Sequence, residues 1–128
     1  MKISELPAEV QERLARKRQA LARKKVDTPY EIELYNADGT RYFRARRVQH
    51  AWNDDKGNYM PFGGGSHWTV TYGVVQAMRY KSPVGTMEYE LNLGKAFRRS
   101  ANGTDIPKTA ATKKEALDIA KAIGIFNL

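Results

Sequence analysis

Few residues in this chain have the types and spacing for chemistry: two histidines, His50 and His67, the acidic pair Asp54-Asp55, and the adjacent Ser66-His67. Histidines with carboxylates hold divalent metals, and a serine beside a histidine suggests a nucleophile with its base. Neither arrangement is complete. The histidine spacing matches no zinc motif, and the nearest third ligands, Asp54 and Asp55, read as turn residues. A metal-dependent nuclease built from Asp54, Asp55 and a distant Glu88 or Glu90 conflicts with the register expected below, in which Glu88 faces Arg79. Ser66 and His67 are neighbours in an extended segment, so their side chains leave opposite faces of the strand. There is no Gly-x-Ser-x-Gly elbow and no cysteine nucleophile. The expectation is a protein that is not an enzyme and has no metal site and no cofactor.

The run from Asn58 to Trp68, "NYMPFGGGSHW", sets three glycines among aromatic residues. A phosphate-cradling loop ends in Gly-Lys-Ser/Thr and opens a helix. Gly63-Gly64-Gly65-Ser66 lacks the lysine and leads into the β-like "HWTVTYGVV". The glycines therefore read as a hinge or bulge. With Asp55-Lys56-Gly57-Asn58 as a further turn, the strand beginning at Arg41 extends to Trp52, and residues 59–62 return beside it.

What remains is charge. The 128 residues carry 22 basic and 14 acidic side chains, a net charge of +8, which favours a polyanionic partner. Residues 1–25 hold eight basic and three acidic residues, net +5; residues 26–60 hold five and six, net −1. Residues 61–100 have five and two, net +3, and residues 101–128 four and three, net +1. The uncompensated cations are Arg16, Lys17, Arg18, Arg23, Lys24 and Lys25 near the start, Lys95, Arg98 and Arg99 after the sheet, and Lys113 and Lys114. The last two stand in a helix's first turn, where the dipole disfavours cations and welcomes a docked anion.

The elements that must position these residues follow from periodicity. Residues 4–25 form an N-terminal helix with Leu6, Val10, Leu14 and Leu21 at helical spacing, and with Glu9–Arg13 and Glu12–Arg16 as i,i+4 pairs. Lys17 and Lys24 interrupt that stripe, so the second half is expected to pack loosely or project into solvent. From Tyr30 the period becomes two. Asp38-Gly39 predicts a hairpin with a type I′ turn, setting Leu34 opposite Phe43, Ile32 opposite Ala45, Glu33 opposite Arg44 and Glu31 opposite Arg46. A second hairpin turns at Ser82-Pro83-Val84-Gly85, with Tyr80 opposite Met87, Met78 opposite Tyr89, Val74 opposite Leu93 and Arg79 opposite Glu88. Thr112-Lys113-Lys114-Glu115 is a capping box opening a helix that stops at Gly124.

The fold class is α+β: one domain over residues 1–128, with a basic N-terminal helix (1–25), an antiparallel sheet of about four strands (30–94) and a C-terminal helix (112–124), both helices on one face. The stretch "TKKEALDIAKAIG" resembles the last helix of double-stranded RNA-binding domains, in which paired lysines at the helix start grip phosphates. It departs at Leu117, where that pattern places another lysine, and the family's Gly-Pro-x-His loop is absent.

The expected function is nucleic-acid binding, DNA or RNA, through phosphate contacts from the cations named above. Trp52, Tyr59 and Phe62 are candidates for base stacking, with core packing the first expectation for Trp52. The alternative is a protein-interaction module, an inhibitor or adaptor docking on an acidic partner. The absence of cysteine and of a signal peptide indicates a reducing cytoplasm, and no apolar run is long enough for integral membrane association.

Overall fold

A computed structural model describes residues 6–61, 63–100 and 103–124. The chain runs α1 (Ala8–Arg23), β1 (Val26–Asp27), β2 (Glu31–Tyr35), β3 (Arg41–Gln49), β4 (Trp52–Asn53), β5 (Tyr59–Met60), β6 (Ser66–Lys81), β7 (Met87–Ala96), β8 (Thr109–Ala110) and α2 (Lys113–Ile123). The class is α+β with an antiparallel sheet, but the strands are more numerous than expected. One six-stranded sheet has the order β1-β2-β3-β6-β7 with β8 also on β6, and β4 and β5 form a separate pair. The unexpected strands β1 and β8, and the β4 and β5 that stand apart from the main sheet, have two residues each, too few for alternation to show. The separate β4–β5 pair also corrects the expectation of one strand from Arg41 to Trp52, because β3 ends at Gln49.

The first hairpin has the expected register, with Leu34 opposite Phe43 and Glu31 opposite Arg46. Its turn is different. A type I′ turn needs positive φ at both central residues, and only Gly39, at φ 70°, has it. Asn36 organises the loop instead: its carbonyl accepts from Gly39 N at 3.1 Å, and its Oδ1 accepts from Thr40 N at 2.9 Å and Arg41 N at 3.0 Å. The second hairpin is displaced by one residue, pairing Tyr80 with Glu88, Arg79 with Tyr89 and Val75 with Leu93. The cause is Gly85, whose φ of 87° adds a residue to the loop, closed by Ser82 N donating to Thr86 O at 2.8 Å. The expected Arg79–Glu88 pair is replaced by Tyr80 Oη donating to Glu88 at 2.7 Å.

The two helices lie on opposite faces of the sheet, not on one. Ile32, Leu34, Phe43, Ala45, Trp68, Val70 and Tyr72 form a core with Ala116, Ala120 and Ile123 of α2. The alternate positions Tyr35 and Tyr42 pack with Val75, Leu91 and Leu93 against Leu21 of α1. Alternation from Gly73, opposite Tyr42, puts Val75 on that side, and a register shift that gives β7 one extra residue there sets Leu93 opposite it. Two apolar faces require two covers.

The second half of α1 is accordingly docked and does not project into solvent. Leu21 packs on Tyr35, Tyr42 and Val75, Arg18 Nη2 donates to Val75 O at 3.5 Å, and the Arg18 carbonyl lies against Gly39, where a Cβ would stand only 2.1 Å away. Glu12–Arg16 forms at 3.5 Å, whereas Arg13 turns to the Tyr89 carbonyl at 3.4 Å. In α2, Thr112 Oγ1 accepts from Glu115 N at 3.2 Å, Glu115 Oε2 accepts from Ala111 N at 2.9 Å, and Gly124 ends the helix at φ 75°. The expected cap by Thr112 is formed, and the returning bond of the box falls one residue earlier, on Ala111 N instead of the N-cap amide.

The face under α1 carries a pH prediction. Burial, and then the hydrogen bond to Glu33, raise the Tyr35 phenol well above its usual value; burial also raises Tyr42. A raised folded-state pKa means that the neutral phenol is favoured by folding. Its stabilisation is complete below about pH 10 and is lost as pH rises beyond that. Urea midpoints are expected to hold up to that pH and then fall, and Tyr35→Phe and Tyr42→Phe to flatten the alkaline decline. An unchanged decline in both variants would exclude the phenols as its source.

Candidate nucleic-acid interface

At the β1 edge of the sheet the end of α1 and the start of α2 meet. Lys113 Nζ donates to Asp27 Oδ1, and this hydrogen bond, together with the charges of Lys113 and Lys25, holds the Asp27 carboxyl below the usual carboxylate range. Lys24, one residue before Lys25, reaches Glu33 at 3.4 Å. Lysines separated by almost ninety positions of sequence thus gather around one aspartate because β1 lies at the edge of the sheet and α2 begins beside it. Lys25 and Lys114 are exposed and, like Arg23, have no ion-pair partner among the described residues.

The remaining expected cations are dispersed. Lys95 lies near the end of β7 and Arg98 and Arg99 follow it, at the opposite edge of the sheet; four strand spacings put β7 on the order of 19 Å from β1. Lys95 and Arg98 are exposed, and Arg99 is paired with Asp105 at 3.0 Å. Arg16 is held by Glu12, and Lys17 lines a shallow groove with Ala20, Leu21, Glu90 and Leu91. Arg18 faces inward: burial disfavours its charge, with partial compensation from Asp38, and its Nε is buried without a hydrogen-bond partner.

The charge pairing on β2–β3 is direct, as expected, for Glu31 and Arg46, but the expected Glu33–Arg44 pair is replaced by a diagonal one from Arg44 to Glu31. Glu31 takes both Arg44, at 3.3 Å, and Arg46, at 3.4 Å. Glu33 is buried, bound by the Tyr35 hydroxyl and Lys24. Two further arginines stand over aromatic rings, Arg41 at 4.7 Å from the Phe97 centroid and Arg47 at 5.8 Å from that of Tyr30. Their signal was present: Arg41 and Arg47 lie at even spacing on β3, flanking the buried Phe43 and Ala45.

The central loop carries exposed aromatic surface. Trp52 is 43% exposed, which corrects the core packing expected for it, and Tyr59 is 70% exposed. Both sit on the β4–β5 pair, too small to bury a side chain on either face. Phe62 lies outside the described residues. The turn is one residue earlier than expected, at Asp54–Gly57, because Asp54 Oδ1 accepts from Lys56 N at 2.9 Å and Asn58 N at 2.8 Å. Those backbone hydrogen bonds hold its carboxyl below the usual range and account for the acidic residue in turn terms.

The glycine run closes the loop mechanically. His50 N donates to Gly65 O at 2.9 Å and Gly64 N to His50 O at 3.2 Å; a Cβ on Gly64 would stand 2.8 Å from that carbonyl oxygen. Gly63 and Gly65 have φ of 97° and 93°, dihedrals that other residues rarely adopt. As a result His50 and His67 meet, with His67 Nδ1 2.7 Å from His50 Nε2. Among the described residues no group of three or more histidine, cysteine, aspartate or glutamate side chains is placed to hold a metal, and no helix is long and apolar enough to cross a membrane. Compared with protein-family models, curated proteins and solved structures, the chain matches none.

Proposed function

We propose that this protein is a small non-catalytic nucleic-acid-binding module, working in a reducing cytoplasm, that neutralises phosphates with Arg23, Lys24, Lys25, Lys113 and Lys114 at the β1 edge. The observation that carries the reading is the convergence of Lys25 and Lys113 on Asp27. Cations assembled from distant parts of the chain around one acid make a local positive field that an approaching polyanion strengthens. Such contacts fix position on the polymer and do not read its sequence. Trp52 and Tyr59 supply exposed rings for unpaired bases. Lys95 and Arg98 form a secondary, weaker contact region.

The test is fluorescence anisotropy with duplex DNA, single-stranded DNA and duplex RNA across a salt series. Binding should weaken steeply with salt, and a Lys25→Gln, Lys113→Gln, Lys114→Gln triple variant should lower the log–log slope by up to about 2.7, at roughly 0.9 per phosphate on B-DNA. Asp27→Asn is expected to act in the opposite direction, raising affinity by removing the negative charge beside Lys25 and Lys113. No binding at low salt, or a slope unaffected by the triple substitution, would overturn the reading.

A second reading, a module that docks on a protein, draws on the exposed Met78, Tyr80, Val84 and Met87 near the β6–β7 turn. It expects a stoichiometric complex that persists after nuclease treatment and is lost in a Met78→Ser, Met87→Ser variant.

A further inference from the structure

The two histidines of the chain, 17 residues apart in sequence, are brought together at the mouth of the loop formed by residues 51–65. His67 stands on β6 opposite Val48, and His50 follows β3 on the same face, so the pair is a diagonal neighbour across an antiparallel ladder. The rings lie 4.6 Å apart between centroids with their planes at 31°, His50 exposed and His67 half-buried. Two backbone hydrogen bonds between His50 and the glycines hold this geometry independently of the imidazoles.

We infer that His50 and His67 form a bidentate site for a divalent transition metal that accepts two nitrogen ligands in cis positions, Cu²⁺ or Ni²⁺. The separation of the facing nitrogens sets the geometry that the pair reaches with the least movement. Two bonds of about 2.0 Å at a right angle place their nitrogens about 2.8 Å apart, whereas a tetrahedral zinc site needs about 3.3 Å. The observed 2.7 Å matches the first. In the metal-free pair one imidazole donates to the other; for coordination that proton moves to the outward nitrogen of its own ring, leaving two lone pairs facing the metal. Rotation of the rings then directs both lone pairs to one point, and solvent completes the coordination. The nearest cation along the same face of β3, Arg46, is paired with Glu31 and does not oppose the metal with a free charge.

The consequence is a clasp. A metal held by His50 and His67 joins the two ends of the loop that presents Trp52 and Tyr59, so loading should order the exposed aromatic surface.

The experiment titrates the full chain with CuCl₂, NiCl₂ and ZnCl₂ separately, following tryptophan quenching for Cu²⁺ and Ni²⁺, calorimetry for all three, and Cu²⁺ spin resonance for nitrogen coupling. One equivalent should bind, with affinity in the order Cu²⁺, Ni²⁺, Zn²⁺. His50→Gln or His67→Gln should each weaken binding about 10²-fold, since either removes the second ligand of a two-point attachment. Hydrogen exchange should slow across residues 51–65 on loading. His50 is exposed and outside any strand, so His50→Gln keeps the test valid even if His67→Gln perturbs β6. Variants that bind as tightly as the parent chain would overturn the site, and Zn²⁺ binding tighter than Ni²⁺ would overturn the cis geometry.

Discussion

Replacing Gly39 by alanine is expected to destabilise the protein by about 2–5 kcal/mol, from a left-handed backbone cost of about 1–2 kcal/mol and a steric cost of about 1–3 kcal/mol. The residue sits at φ 70°, and its Cβ would stand 2.1 Å from the Arg18 carbonyl oxygen and 2.8 Å from its carbon. That contact is backbone on a helix, which has no rotamer to change. Relief requires α1 to lift from the sheet, drawing Leu21 away from Tyr35, Tyr42 and Val75. Gly57→Ala is the matched control: φ is 81°, but nothing lies within 4 Å of the added carbon, so only the backbone cost of about 1–2 kcal/mol applies. Urea unfolding of both variants measures the difference, which is the cost of undocking the helix. A Gly39→Ala loss no larger than that of Gly57→Ala would exclude the close approach. Because α1 ends at Arg23 and leads directly into Lys24 and Lys25, the same variant should also weaken nucleic-acid binding without removing a charge.

Phe43→Ala is expected to cost about 3–5 kcal/mol, enough to unfold much of the population of a marginally stable domain. Phe43 is fully buried, opposite Leu34 on one side and Tyr72 on the other, under α2. Its removal leaves a cavity bounded by strands whose hydrogen-bonded spacing prevents them from closing in. Met78→Ala, at a 42% exposed position of the same sheet, should lie within about 0.5 kcal/mol of the parent chain. Equal midpoint shifts for the two would show that burial does not set the stability of this sheet.

The α+β class, both helices, the first hairpin's register and the Thr112 cap of α2 could be read from the residues. In the first hairpin one face is apolar and the other polar, so a slip by one residue would expose Ile32, Leu34 and Phe43. No such penalty guarded the second hairpin. Met78, Tyr80 and Met87 end up exposed, leaving the choice between two registers to Gly85 and the Ser82–Thr86 pairing. Trp52 departs from expectation for a related reason: its size argues for burial, but a two-residue strand outside the main sheet has no core to offer.

The candidate interface was legible as a list of cations and illegible as a surface. Partnerless charge could be counted, yet whether Arg18 turns inward or Lys113 meets Asp27 depends on which helix covers which face. Asp27 was lost in the count because residues 26–60 are nearly neutral overall. The approach of the two histidines is not legible in their spacing, because they sit on either side of a loop that only the fold closes.

The sequence by itself determined what depends on neighbours within a few positions: strand alternation, helix caps, the Gly39 bend and the net charge. Tertiary structure alone decided that α1 and α2 take opposite faces, that Lys25 and Lys113 share Asp27, and that His50 meets His67. Local choices follow from dihedral and hydrogen-bonding preferences that each residue carries with it. The others are set by packing, in which apolar faces formed from distant segments must both be covered and the polar side chains take the neighbours that this covering leaves them.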